Sequence, residues 1–249
     1  MFFRDIFNGM ASYGKAFHLI NKLGLWSYFV VPALISLVLA AGIGGVAVSY
    51  GGALGDWMAS WCHGGWICDK IGNLFHLLGG ILVAAVGLIL FKNLAMAAAS
   101  PFMSLLSEKI EKSLYGVRQE PKANAARMVR EFIRGLSISL RNIFRELLFT
   151  LLAGFVPVIG PFLIFFIQSY YAGFGNMDYT LERHLTLRQS IGFVRQNRGL
   201  AIGNGIVFLL MLMTLIGFVF ALPLSTVAAT TETLKRLSPP GGGAPGELV

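Results

Sequence analysis

The sequence predicts an all-α integral membrane protein, and three observations carry that prediction. The first is composition. Of 249 residues, 55% are hydrophobic and 13% charged, and the mean hydropathy is +0.69, whereas about a quarter of a water-soluble domain is charged. The second is the spacing of the charges. None lies between Lys22 and Asp56, Lys70 and Lys92, Glu146 and Asp178, or Arg198 and Glu232, and each interval holds the roughly 20 helical residues that cross a hydrocarbon core. The third is that these runs lack strand-period alternation, which disfavours an outer-membrane barrel.

The composition leaves no room for a separate soluble catalytic domain. A net charge of +8 raises nucleic acid as a partner, but basic loops beside apolar spans follow more simply from the positive-inside bias. No nucleic acid is expected. Residues 1–22 scatter Arg4, Asp5, Lys15 and Lys22 among apolar positions, which is not the layout of a cleavable signal peptide.

Charge placement orders the elements. The basic segment to Lys22 stays cytoplasmic, and the first span runs from near Trp26 to near Tyr50. The loop from Gly51 to Lys70, with Asp56, Asp69 and the interfacial residues Trp57, Trp61 and Trp66, faces the periplasm of a bacterial-type inner membrane. The second span, about Ile71 to Phe91, returns to a stretch with ten Lys and Arg between Lys92 and Arg145, a cytoplasmic signal. Two amphipathic helices follow. One carries Phe102, Met103, Leu106, Ile110 and Leu114 at helical spacing and ends at Tyr115-Gly116. The other sets a stripe from Val129 through Ile133, Leu140 and Phe144 to Leu147 opposite Arg127, Arg130, Arg134, Arg141 and Arg145, and is expected to pack that stripe on the protein or the headgroups.

The third run, from Leu147, is broken after about ten residues, roughly 15 Å of helix, by Pro157-Val158-Ile159-Gly160-Pro161. One kinked span would carry Arg183, Arg188, Arg195 and Arg198 outside. A re-entrant hairpin, with Pro161 at the first position of its second helix, keeps them in the cytoplasm and fits the charge bias better. The fourth run, Gly199 to Thr231, contains Gly217 and Pro223 and admits a hairpin turning near Thr214 to Phe218. An amphipathic piece opened by the capping box Thr186…Gln189 precedes it, a weak echo of the third run. Residues 1–237 thus form one membrane domain, with two full spans and two hemi-penetrating hairpins. Residues 238–249, rich in Pro and Gly, form a disordered tail.

Few residues invite chemistry. Glu108, Glu111 and Arg145 lie at cytoplasmic ends of apolar runs and are candidate gating charges, against the plainer reading of Glu108 and Lys112 as a surface pair. His76 sits inside the second span, either as a proton relay or as a hydrogen-bonded interfacial residue. Cys62 and Cys68 share the periplasmic loop, either as a small disulfide or as two thiols; with His63 alone beside them they make no metal site. No nucleotide-binding loop, HExxH or GxSxG occurs, so neither an enzyme nor a cofactor is expected.

Four stretches resemble one family. They are Ser100-Pro101-Phe102 leading to Glu108-Lys109-Ile110-Glu111; Gly24-Leu25-Trp26 with Val31-Pro32-Ala33-Leu34-Ile35; Val156-Pro157-Val158-Ile159-Gly160-Pro161; and Met177-Asp178-Tyr179 with Leu185 to Arg188 and Arg195 to Gly199. In this order they resemble the CysZ-type sulfate permeases of the wider etoposide-induced-protein domain family, over about residues 5 to 235. The resemblance implies two transmembrane helices, two pairs of hemi-penetrating helices, cytoplasmic termini and a homo-oligomer. It also implies sulfate uptake for cysteine synthesis without an ATPase partner. Family arginines at the head of the first span help bind sulfate; here Trp26 and Ser27 stand there, and the nearest cation in sequence is Lys22. Losing an arginine fork weakens an anion site, though backbone N–H groups beside Gly24 can still hold one.

The resulting expectation is a conduit for a small inorganic oxyanion. Gly24, Leu25, Trp26 and Ser27 form its intake, and the hairpin turns at Pro157, Gly160, Pro161 and Gly217 form its narrow region, where positive helix ends meet the anion. The plain alternative at each turn is that Pro and Gly only shape helices. A second class of function is a non-transporting membrane organiser whose amphipathic and half-inserted helices deform the bilayer or scaffold partners.

Overall fold

The computed structural model describes residues 2–43, 45, 66–116, 125–156, 159–214 and 217–237. Cys62 and Pro157, with the side chains of Cys68 and His76, lie outside the described residues, and so does the choice between a disulfide and two thiols. Every regular element among the described residues is helical.

Helix α1 (Phe2–Leu23) buries Gly9, Ser12, Tyr13, Ala16, Leu19 and Ile20, whose spacing of three and four sets them on one face. Gly24, in the left-handed region at φ 62°, ends it as glycine does at a helix C-terminus. A 3-10 turn, Leu25–Phe29, leads into α2 over residues 30–43. Leu25–Ile43, with mean hydropathy 2.0, is one of two stretches long and apolar enough to cross a membrane. Its Val30, Leu34, Leu37 and Val38 remain exposed.

The second such stretch, Val86–Tyr115, lies in α3 (Trp66–Tyr115), a helix of 50 residues, about 75 Å long. This corrects three expectations. The outer loop ends by Trp66, the second span does not stop at Phe91, and no break separates it from the helix beginning at Phe102. Pro101 sits inside α3 and forfeits one backbone bond, while α4 (Ala125–Gly154) braces that level. Ser100 Oγ donates to the Glu131 carbonyl at 2.9 Å, and a Cβ on Gly135 would fall 2.7 Å from Ser100 Oγ.

Helices α4 (Ala125–Gly154) and α5 (Gly160–Leu181) run antiparallel. Glu146 and the Gln168 carbonyl both meet Lys92 Nζ, while Arg134 bonds Asp178, so partners pair symmetrically about the turn. The third run therefore reverses and is not one kinked span. Its turn is closed by the Gly160 N–H donating to the Val156 carbonyl at 2.8 Å. Any Cβ at Gly160 would collide with the Ala153 carbonyl. Gly160 opens α5 and Pro161 takes its second position, not the first, where the N–H has no intrahelical partner either.

Helix α6 (Leu187–Gln196) starts on the capping box of Thr186 and Gln189. Helices α7 (Arg198–Leu212) and α8 (Gly217–Leu237) form a second antiparallel pair, fixed by Asn204 Nδ2 donating to the Ser225 carbonyl at 3.1 Å. Thr214 Oγ1 accepts from the Gly217 N–H at 3.0 Å and donates to the Met211 carbonyl at 2.8 Å. Helices α5 and α7 cross at small residues, Ser169 and Gly173 against Ala201 and Gly205, where either glycine's Cβ would meet a backbone carbonyl. This is the close packing that stabilises helix pairs in lipid.

Helix α4 is turned inside out. It buries Glu131, Ser139, Asn142, Glu146 and Thr150, and it exposes Val129, Ile133, Leu140 and Phe144, the last at 71%. In water an apolar stripe faces the core; here, of the two expected partners, protein and headgroups, the stripe does not take the first, because the polar face has partners inside the bundle.

Candidate functional site

The intake segment is built around Gly24. Its left-handed backbone swings the chain from α1 into the 3-10 turn, which has no side-chain cap, so its first N–H groups remain for an external acceptor. Leu25 is buried and Ser27 exposed. Trp26 is not free to bind: its Nε1 donates to Asn21 Oδ1 at 3.0 Å, and its ring stacks among Phe17, Phe29 and Phe220 at 5.0 to 6.4 Å. The sequence reading missed a cation. Lys109 Nζ of α3 lies 5.0 Å from the centre of the Tyr28 ring, beside the intake and 81 positions away from Tyr28 in number, a proximity that no local spacing signals.

Between α3, α4 and α5 runs a buried polar column. Lys92 Nζ donates to both carboxylate oxygens of Glu146 at 2.7 and 2.6 Å, with both side chains 0% exposed. Asn93 Nδ2 adds a bond to Glu146 at 3.2 Å, and Ser139 Oγ donates to the Asn93 carbonyl at 3.0 Å. Gln168 Oε1, Asn142 Oδ1 and Thr150 Oγ1 are buried without a hydrogen-bond partner. Such orphaned acceptors cost about 1–3 kcal/mol each unless water or a ligand satisfies them. Deeper in the bundle, Asn176 Nδ2 donates to Asn204 Oδ1 at 2.8 Å, and Tyr13 donates to the Asn204 carbonyl at 2.7 Å.

The gating candidates separate. Glu111 accepts from Arg183 Nη2 and Nε at 3.0 and 3.1 Å, and His184 Nε2 lies 2.9 Å from its other oxygen. Arg183, just past the end of α5, also bonds Ser107, whose hydroxyl meets Thr180 and through it Thr230. Arg145 stands elsewhere, in the electrostatic neighbourhood of Arg141, Tyr170 and Tyr171, so the structure does not join it to Glu111. Glu108 is half-buried on α3. The expected turns place Gly160 and Pro161 at the start of α5 and Gly217 at the start of α8.

A second ionic knot holds α4 to α5 and α6. Arg134 forks onto Asp178 at 2.9 and 3.1 Å and reaches Ser190 Oγ and the Leu185 carbonyl. Beside it, Ser100, Ser139, Asp178, Tyr179 and Glu182 line a cavity of about 20 Å³, room for one water. Burial, and then the charge of Asp178, push the Glu182 carboxyl up to about 8. Among the described residues no cluster of three or more His, Cys, Asp or Glu has the layout of a metal site.

Comparison with known proteins places these features. The family described as sulfate transporter CysZ/etoposide-induced protein 2.4 matches residues 12–223. A sulfate transporter CysZ of Vibrio cholerae serotype O1 is 26% identical over 233 residues, covering 89% of this chain and 90% of that protein. A sulfate transporter CysZ of Pseudomonas syringae pv. tomato is 26% identical over 225 residues, covering 85% and 86%. With the match running from the middle of α1 into α8, the chain belongs to the sulfate transporter CysZ/etoposide-induced protein 2.4 family.

Proposed function

We propose that this protein is an inner-membrane permease or channel for a small oxyanion, sulfate first. The observation that carries the reading is the Lys92–Glu146 column, a fully buried ion pair with orphaned polar neighbours, wrapped by helices whose apolar surface faces outward. Ionisable groups at that depth are costly in a membrane and commonly mark a polar pathway. The names of the relatives support sulfate as the substrate.

In this reading α2 and α3 span, and the α4–α5 and α7–α8 hairpins reach halfway from the cytoplasm. The 15 residues of α7 extend about 22 Å, short of a 30 Å hydrocarbon core. Both termini are cytoplasmic, residues 1–237 act as one membrane domain, and copies assemble as a homo-oligomer. Sulfate docks at the Gly24 to Ser27 segment, on the N–H groups of Leu25 to Ser27 beyond the turn that Gly24 makes, with Lys22 and Lys109 supplying the charge that an arginine gives in the family. It then passes the positive ends of α5 at Gly160-Pro161 and of α8 at Gly217. Glu111 with Arg183, near Glu108, closes the inner mouth. Uptake runs without ATP and feeds cysteine synthesis.

The exposed stripe of α4 favours a second reading, a membrane organiser that transports nothing. Sulfate flux into liposomes separates the two. Topology has its own test: single cysteines at positions 188 and 195 should resist labelling from outside, and ready labelling there would put the foot of the α4–α5 hairpin outside and overturn this topology.

A further inference from the structure

The α4–α5 hairpin carries a feature that sulfate passage does not use. Arg141 and Arg145 stand one turn apart on α4, Arg195 lies in the last turn of α6, and Arg198 is the first residue of α7. Tyr170 of α5 feels the charge of all four. Arg141 feels Arg145 and Arg195 as like charges, sits 5.4 Å above the Phe174 ring, and buries Nη1 without a hydrogen-bond partner. Among the described residues none of the four forms an ion pair with a carboxylate. Glu146, next to Arg145, is turned inward onto Lys92. Arg141 is thus crowded by two like charges, and an oxyanion that accepts several charge-assisted bonds relieves both that repulsion and the orphaned donor.

The surface beyond the arginines indicates which oxyanion. On α4 the positions 141, 145, 148 and 152 follow one another on a single face, and on α5 the positions 162, 166 and 170 do the same. Leu148, Leu152, Phe162 and Phe166 are exposed. The face is thus cationic at the foot of the hairpin and apolar to its tip. From Arg145 to the turn at Val156 is roughly 16 Å of helix, about the depth of one leaflet's hydrocarbon. A free inorganic anion has no use for the apolar part, whereas a phospholipid matches both parts.

We propose that the foot of the α4–α5 hairpin is a binding site for the phosphate of an anionic phospholipid, held by Arg141, Arg145, Arg195, Arg198 and the Tyr170 hydroxyl, with an acyl chain along the apolar tip. The site rests on the reading that this hairpin dips into the bilayer. It does not depend on what the protein transports.

The test is native mass spectrometry of the full chain in detergent with added phosphatidylglycerol, phosphatidylcholine, or inorganic phosphate and sulfate. The expected result is one phosphatidylglycerol adduct per chain at concentrations where phosphatidylcholine gives none, with millimolar phosphate or sulfate failing to displace it. Arg195→Gln with Arg198→Gln, both exposed positions, should weaken the adduct on the order of tenfold, the loss of about 1.4 kcal/mol. Arg141→Gln with Arg145→Gln should abolish it. Arg188→Gln, outside the cluster, should leave it intact. Equal binding of phosphatidylcholine, displacement by the inorganic ions, or full binding by the double variants would overturn the proposal. Sulfate flux measured on the same preparations reports the permease reading separately, since loss of one result leaves the other standing.

Discussion

The two helical hairpins share a plan and differ in what holds them. The α7–α8 pair is mostly buried, and its core contacts are neutral: glycines of α7 touch the backbones of α1 and α5, and Asn204, Ser225 and Thr230 bond within the core, while the ion pairs of Arg236 with Asp5 and Lys235 with Glu232 stand in the last turns of α8. In the α4–α5 pair, α5 packs on α7 in the core while α4 lies at the edge, presents apolar side chains outward and turns its polar face inside, where Glu146 meets Lys92 and Arg134 meets Asp178. The α7–α8 hairpin is a scaffold made by close approach, and α4 gives the α4–α5 hairpin an amphipathic wall held by ion pairs. A conduit needs both, a rigid frame and a polar lining.

This contrast predicts unequal sensitivity to mutation. The largest effect belongs to the α4–α5 hairpin. Lys92→Met leaves Glu146 buried without its cation and should destabilise the fold by about 3–5 kcal/mol, while Lys92→Met combined with Glu146→Leu should recover most of that loss. Thermal unfolding of the detergent-solubilised variants checks both. A double variant no better than the single one would show that the column is more than a pair. In the α7–α8 hairpin, Gly205→Ala forces a Cβ into the Ser169 carbonyl and should cost about 1–3 kcal/mol. An unchanged melting temperature would mean that α5 and α7 part easily.

The knot at the hairpin foot should add a pH dependence. Glu182 is raised from 4.5 to about 8, so between those values the folded protein holds a proton that the unfolded chain releases. Stability should therefore fall as pH rises through that window and level off above it. Asp178 and Glu131 disfavour the charged form, while Arg134 and Ser104 favour it. Glu182→Gln should flatten the slope, and a slope that survives the substitution would assign it to another group. The smallest effect on stability is expected at the intake. Gly24→Leu places a bulky residue at φ 62°, costing about 1–2 kcal/mol, and should lower sulfate flux more than it lowers stability. Equal flux would remove this segment from the pathway.

The sequence revealed what is written in local runs. The charge-free intervals announced the apolar helices, and the glycines at 160 and 217 announced the reversals because a turn that tight tolerates no Cβ. Tertiary partners were not legible. Lys92 and Glu146 stand 54 positions apart, Arg183 looked like one more cytoplasmic charge, and Lys109 looked like no more than part of the stretch from Glu108 to Glu111. The stripe on α4 was visible, but not the direction it faces, since periodicity marks two faces without saying which one meets the core. The stripe from Phe102 misled in the same way: it looked like a helix of its own, yet α3 runs through Pro101 into it, with α4 packed at that level.

The most direct measurement of the central claim is radiolabelled sulfate uptake by liposomes that contain the purified, folded chain and no nucleotide. The account predicts saturable uptake above that of empty vesicles, reduced by Gly24→Leu and by Lys109→Met. Uptake equal to that of empty vesicles, from protein shown to be folded and inserted, would contradict it.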